Sequence, residues 1–292
     1  MFAPPEEAQL STTEVLLGAV ISYVFILLCN GYTFGSGDQS EVIPFLDFIP
    51  NADYHLDFFV QNYLHQGHGI RAGIIYLSQL GTLWLPLQWW YWILHFLSAI
   101  LLLSGLLRIY NLFTSDRFWM VCAVVVSVGI LYGFNLGSNE IYYPAFIGST
   151  VSNSLLIWAI YFYFRRNNYL WPAFILPALY FQELAALQVW LILSAGIFWL
   201  YFTEKRKIDK AGTKQSILWP VLILCCLIVY LKSDILSGRS TDIMRMLQIL
   251  TWRTSHHFLP GEFGLINYFL IPIPAIIALV LMKKEWPEIR IF

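Results

Sequence analysis

Asp38 and Glu41 are the first side chains in this 292-residue chain with a clear chemical use. They stand in the phrase Gly31-Tyr32-Thr33-Phe34-Gly35-Ser36-Gly37-Asp38-Gln39-Ser40-Glu41. Its three glycines let the backbone turn sharply and approach a ligand closely. A carboxylate held by such a loop can bind a cation or take a proton from an incoming hydroxyl. A turn or helix-capping aspartate is the competing reading of Asp38. Glu41, three residues on, is a candidate second ligand, although Asp-x-x-Glu is a weak signal.

A second constellation is Arg253-Thr254-Ser255-His256-His257-Phe258-Leu259-Pro260. Arg253, His256 and His257 can together donate several hydrogen bonds to a phosphate. Adjacent side chains diverge on a regular element, so both histidines reach one ligand only at a turn, which Pro260 and Gly261 favour. A metal held by these histidines and the first loop's carboxylates fits ligand chemistry without diagnostic spacing. Histidines that cap a helix at an interface are the structural alternative. Asp53 and Asp57, four residues apart with His55 between them, are further candidates for a substrate-facing surface; a solvated helical face is the plainer reading.

The elements that must position these groups are apolar. Hydrophobic residues make up 58% of the chain and charged residues 12%, about half the charge of an ordinary soluble domain. That composition makes a polytopic membrane protein, and the net charge of −1 gives no argument for a nucleic-acid partner. Spans of roughly 17–25 residues are expected, and they fall at about 14–30, 87–113, 116–137, 149–165, 183–202, 216–232 and 265–282. A shorter run, 169–181, is expected to be broken by Pro172 and Pro177 and to pair with 183–202 as a hairpin, with Glu183 at its turn. Backbone groups in lipid must pair within the segment, so the spans are helices. The fold expected is all-α, a polytopic bundle of about eight spans forming a single integral membrane domain over 1–292. Two outer loops interrupt it, at 31–86 and 233–264.

Orientation follows from the basic residues. With both termini cytoplasmic, 12 of the 17 Lys and Arg residues fall inside and 5 outside, as the positive-inside rule requires. The N-terminus lacks the features of a cleaved signal, so 14–30 is expected to stay as an anchor. Cys29, Cys122, Cys225 and Cys226 all lie in apolar runs and read as small hydrophobes. Both outer loops then carry the histidines and carboxylates named above, and the aromatic group Trp84, Trp89, Trp90, Tyr91 and Trp92 marks the same boundary. Loops this long are usually functional. Within the first, Asp53, Asp57, Gln61, His65 and His68 recur at helical spacing, which predicts an amphipathic surface helix over 53–66. Residues 70–86 read as a second surface-lying or partly inserted helix. His95, inside its span, is expected to bond a neighbouring helix.

This layout resembles the GT-C superfamily of membrane glycosyltransferases: a long outward loop after the first span, an acidic residue at its start, surface-lying helices, and a late outer loop with Arg and His. The phrases 31–39 and 255–260 look more closely like a branch of bacterial multi-spanning membrane proteins. The resemblance implies a bacterial inner-membrane enzyme that transfers a sugar from a polyprenyl-phosphate donor to an acceptor on the outer face. It gives Asp38 the role of base or ligand of a divalent cation (Mg or Mn), and Arg253, His256 and His257 the donor phosphate. Membrane lipid and the polyprenyl-phosphate donor are the partners it implies. Two departures stand out: the chain has no Asp-x-Asp or Glu-x-Asp pair, and it ends at Phe292, soon after the eighth span, as a fragment or degenerate copy would. A transporter or lipid flippase, or a non-catalytic membrane subunit, are the rival functions.

Overall fold

The computed structural model describes residues 10–48, 72–130, 141–165, 167 and 169–203. These residues are all-helical, without a strand among them. All except Ile130 belong to one of the two compact units into which the chain divides, residues 1–129 with 141–230. The expected spans 216–232 and 265–282, the surface helix 53–66 and the second outer loop lie outside the described residues.

Helix α1 (Thr12–Asn30) starts at a reciprocal cap, with Ser11 Oγ accepting the Glu14 N–H at 3.2 Å and Glu14 Oε2 accepting the Ser11 N–H at 2.8 Å. Glu14 also pairs with Arg117 at 2.7 Å. The helix stops where Gly31 turns to φ 71°, its N–H still bonding the Leu27 carbonyl. Then come α2 (Gln39–Phe48) and α3 (Ala72–Thr82), where a second surface or inserted helix was expected. The long α4 (Leu87–Tyr110) follows, capped at its C-terminus by Asn111. Helix α5 (Arg117–Val124) runs on as a π-helical turn over Val125–Ile130.

The next helices are α6 (Gly148–Phe164), α7 (Leu170–Phe181) and α8 (Glu183–Thr203). The run 169–181 is not broken at its prolines. Pro172 falls in the first turn of α7, where an N–H would have no intrahelical partner anyway, and the helix carries on through Pro177. The interruption is at Gln182, whose φ of −154° and ψ of 90° are extended.

By length and composition, α1 and α4 are apolar enough to cross a membrane. They pack antiparallel: Leu10 N–H bonds Asn111 Oδ1 at 2.9 Å at one end, and Tyr23 meets His95 and Phe96 toward the other. Val15, Ala19, Tyr23 and Ile26 of α1 interlock with Ala99, Leu102, Leu103 and Leu107 of α4 in one buried cluster. Small residues permit the close approach. A Cβ on Gly105 would fall 2.7 Å from the Ile157 side chain of α6. Hydroxyls and an indole bridge the same interfaces, with Ser154 Oγ donating to the Ser98 carbonyl at 2.7 Å and Trp158 Nε1 to that of Leu101 at 2.8 Å. Small residues with hydrogen-bonding side chains are how helices associate where no hydrophobic drive separates them from solvent lipid. Helices α7 and α8 pack on α6 through Leu156, Ala159, Trp171, Ile175, Ala186 and Trp190.

Candidate functional site

The glycine-rich loop 31–38 is held against the 141–147 connection by Gln39. This side chain is 1% exposed. Its Oε1 accepts the Gly35 N–H at 2.7 Å, and its Nε2 donates to the Phe146 carbonyl at 2.8 Å. Two residues further up the loop, the Thr33 N–H donates to the Pro144 carbonyl at 2.7 Å. Ser36 Oγ then reaches Thr33 Oγ1 at 2.8 Å, and Ser40 Oγ the Gly37 carbonyl at 2.7 Å. Gly31, Gly35 and Gly37 have φ of 71°, 78° and 57°, the left-handed region that strains any residue with a Cβ. Each glycine is therefore needed for the loop's path.

Asp38 is exposed on this loop and stands directly before α2, its carbonyl accepting the Val42 N–H at 3.2 Å. Glu41 is the third residue of α2. Val42 of the same helix packs with Ile74 and Ile75 of α3, Tyr91 of α4 and Phe146. The carboxylate is thus carried by a loop braced on three helices and a second loop. That is the positioning a general base requires.

Under the loop lies a knot of rings. His95 is fully buried. Its Nε2 lies 3.0 Å from the Tyr143 carbonyl, which can only accept, so Nε2 carries the proton. Nδ1 is left to accept from the Tyr23 hydroxyl at 3.3 Å. His95 therefore bonds a neighbouring helix, as its place in the span suggested, and also the 141–147 connection. The rings of Tyr32 and Tyr142 lie 5.1 and 5.5 Å from the imidazole. The Tyr32 hydroxyl is buried without a hydrogen-bond partner among the described residues. Burial pushes its pKa up to about 12, with the nearby Gln39 amide opposing the shift. Phe34 stands edge-on to Tyr91, which closes the knot with Phe146 on one side and a 2.7 Å hydroxyl bond to Ser78 on the other.

Gln39 stands next to Asp38 in the chain but carries no functional signal of its own in the sequence. Nothing local distinguishes a glutamine that bonds a carbonyl 107 residues away from one in water. The remaining candidates, Asp53, His55, Asp57, Arg253, His256 and His257, lie outside the described residues. Among the described residues, no three His, Cys, Asp or Glu side chains converge in a way that could hold a metal ion. The Mg or Mn site that the resemblance implies for Asp38 is therefore not completed by a ligand cluster among the described residues. No protein-family model, curated protein or solved structure matches this chain.

Proposed function

We propose that this chain is an integral membrane protein of about eight spans with a GT-C-like layout, and that it transfers a sugar from a polyprenyl-phosphate donor to an acceptor hydroxyl at the outer face of a bacterial inner membrane. Membrane insertion is supported by the outward side of α1. Leu16, Leu17, Val20, Ile21, Val24, Phe25 and Leu28 form an exposed stripe at helical spacing, a patch that water would not tolerate on a soluble monomer. The extended residue Gln182 supports a hairpin over 169–202 rather than a single span, which keeps Lys205, Arg206 and Lys207 on the cytoplasmic side.

The observation that carries the enzyme reading is the exposed Asp38 on a loop pinned by Gln39 at the end of α1. In the proposed step the acceptor O–H gives its proton to the Asp38 carboxylate while its oxygen bonds the anomeric carbon. The bond from that carbon to the phosphate oxygen breaks, and the phosphate leaves with the electron pair. Arg253, His256 and His257 stabilise the departing charge, and Glu41 is the second candidate carboxylate of the site. The test is donor turnover by the full chain in bilayer nanodiscs, combined with native mass spectrometry of bound polyprenyl phosphate. Asp38→Asn should abolish transfer yet retain the lipid. A triple Ala variant at Arg253, His256 and His257 should lose the lipid. Transfer that survives Asp38→Asn would refute the catalytic assignment.

A flippase or transporter is favoured by a single observation, the buried His95 within α4, because ionisable residues inside spans often mark transport pathways. Its hydrogen bonds to Tyr23 and Tyr143 instead support a structural role.

A further inference from the structure

Phe34 is a large apolar side chain in polar company. It is 43% exposed, and Thr33, Gly35, Ser36, Gly37 and Asp38 around it are exposed as well. Leaving a phenyl ring in water is unfavourable, yet this ring is held there firmly. On one side of it the Thr33 N–H bonds the Pro144 carbonyl at 2.7 Å, and on the other the Gly35 N–H bonds Gln39 Oε1 at 2.7 Å. The ring itself stands edge-to-face with Tyr91, centroids 5.9 Å apart and planes at 68°. Tyr91 is fully buried and is fixed in turn by Phe146 and Ser78. Phe34 is therefore an aromatic surface already ordered before any ligand arrives, which removes part of the cost of binding.

The hydroxyls of the same loop are all turned one way. Thr33 Oγ1 donates to the Pro144 carbonyl at 3.3 Å, so Ser36 Oγ must be the donor in its 2.8 Å bond to Thr33. Ser40 Oγ donates to the Gly37 carbonyl at 2.7 Å. Each hydroxyl has thus committed its hydrogen inside the loop, and the exposed Ser36 and Ser40 keep only lone pairs for a ligand. The Asp38 carboxylate adds more lone pairs. No Lys or Arg occurs between residue 31 and Arg71, so an anion would find no cationic side chain on this loop. A side-chain rim of this kind suits a neutral ligand rich in O–H groups.

An aromatic face beside such a rim matches the two sides of a sugar. A pyranose carries a patch of C–H bonds, weakly positive, which favours the negative face of an aromatic ring, and an edge of hydroxyl donors. We propose that Phe34 is the platform for a pyranose ring, and that the acceptor substrate of the transfer is an uncharged saccharide whose hydroxyls meet Ser36, Ser40 and Asp38. The inference rests on the transferase reading, in which Asp38 takes the proton of the acceptor substrate. Phe34 lies four residues earlier in the same pinned loop, so the ring it carries belongs to that substrate and not to the donor.

Saturation-transfer difference NMR on the full chain in nanodiscs tests this without any turnover. The probes are the methyl glycosides of glucose, galactose, mannose, rhamnose and N-acetylglucosamine, with glycerol as a ringless control. At least one glycoside should receive saturation at its ring C–H protons where glycerol receives none. Phe34→Ala and Phe34→Leu should weaken its binding on the order of 10-fold, the size of one stacking contact, and Phe34→Trp should bind it as the wild type does. Leu keeps apolar bulk without a π face, so equal binding by Phe34→Leu would overturn the platform. Saturation of none of the glycosides would overturn it too. All three variants should retain polyprenyl phosphate in native mass spectrometry; its loss would place Phe34 in the donor site and overturn the assignment. Phe34-dependent saturation in a protein that turns over no donor would leave the saccharide site standing and bring down the transferase reading alone.

Discussion

Replacing Gln39 by Ala should loosen the whole Asp38 loop, and the size of the effect can be worked from its contacts. Two hydrogen bonds are lost, at 2.7 Å to Gly35 and 2.8 Å to Phe146, each contributing about 1 kcal/mol net. The Gly35 N–H is on an exposed residue and regains a bond from water. The Phe146 carbonyl belongs to a fully buried residue and does not, which adds about 1 kcal/mol of uncompensated desolvation. The local opening free energy of the loop should fall by about 2–3 kcal/mol, or roughly 30- to 140-fold in exchange rate at 1.4 kcal/mol per tenfold. Amide hydrogen exchange read by mass spectrometry gives this directly at Thr33 and Gly35, with mid-α4 amides as the unchanged reference. Gln39→Glu sharpens the test. It keeps an acceptor for Gly35 but turns an oxygen toward the Phe146 carbonyl, so at neutral pH it should do at least as much damage as Ala. Exchange at Thr33 and Gly35 within threefold of the wild type in both variants would refute the claim that Gln39 braces the loop.

Other perturbations have equally definite outcomes. Gly81→Ala drives a methyl into the Trp90 indole, which is held by its bond to Leu77; thermal unfolding in detergent should show a loss of about 1–3 kcal/mol, as for overpacked cores. His95→Leu removes the bonds to the Tyr143 carbonyl and the Tyr23 hydroxyl, so a loss of about 2–4 kcal/mol is expected, whereas Tyr23→Phe alone should cost less. Tyr32→Phe removes a buried hydroxyl that has no hydrogen-bond partner among the described residues, and stability at pH 7 should stay level or rise by up to about 1 kcal/mol. The alkaline limb follows from the same group. Tyr32 in the folded chain keeps its proton until about 12, against 10.0 ordinarily. The unfolded chain therefore releases that proton first, and stability falls as pH rises from about 10 to 12. Tyr32→Phe should flatten that part of the curve and delete one late step from the 295 nm titration.

The helical class was legible in the chain because the apolar runs leave the backbone no partner but itself. The helix over 12–30 could be read to within two residues as the span 14–30, since an apolar run of spanning length marks it locally. The Asp38 loop was legible too, because glycine at 31, 35 and 37 announces turns that only glycine makes without strain. Proline misled at 172 and 177. Its cost depends on where in the helix it falls, and that depends on which residue begins the turn. What tertiary structure alone decided is the set of partners that make the loop rigid. Gln39 bonds a carbonyl 107 residues away and His95 one 48 residues away, and no local pattern encodes a carbonyl, which every residue carries. Likewise, the two faces of α3 are both apolar in sequence. Only packing against Tyr91 and Trp90 shows which is core and which is left exposed, because burial is a property of neighbours rather than of the residue itself.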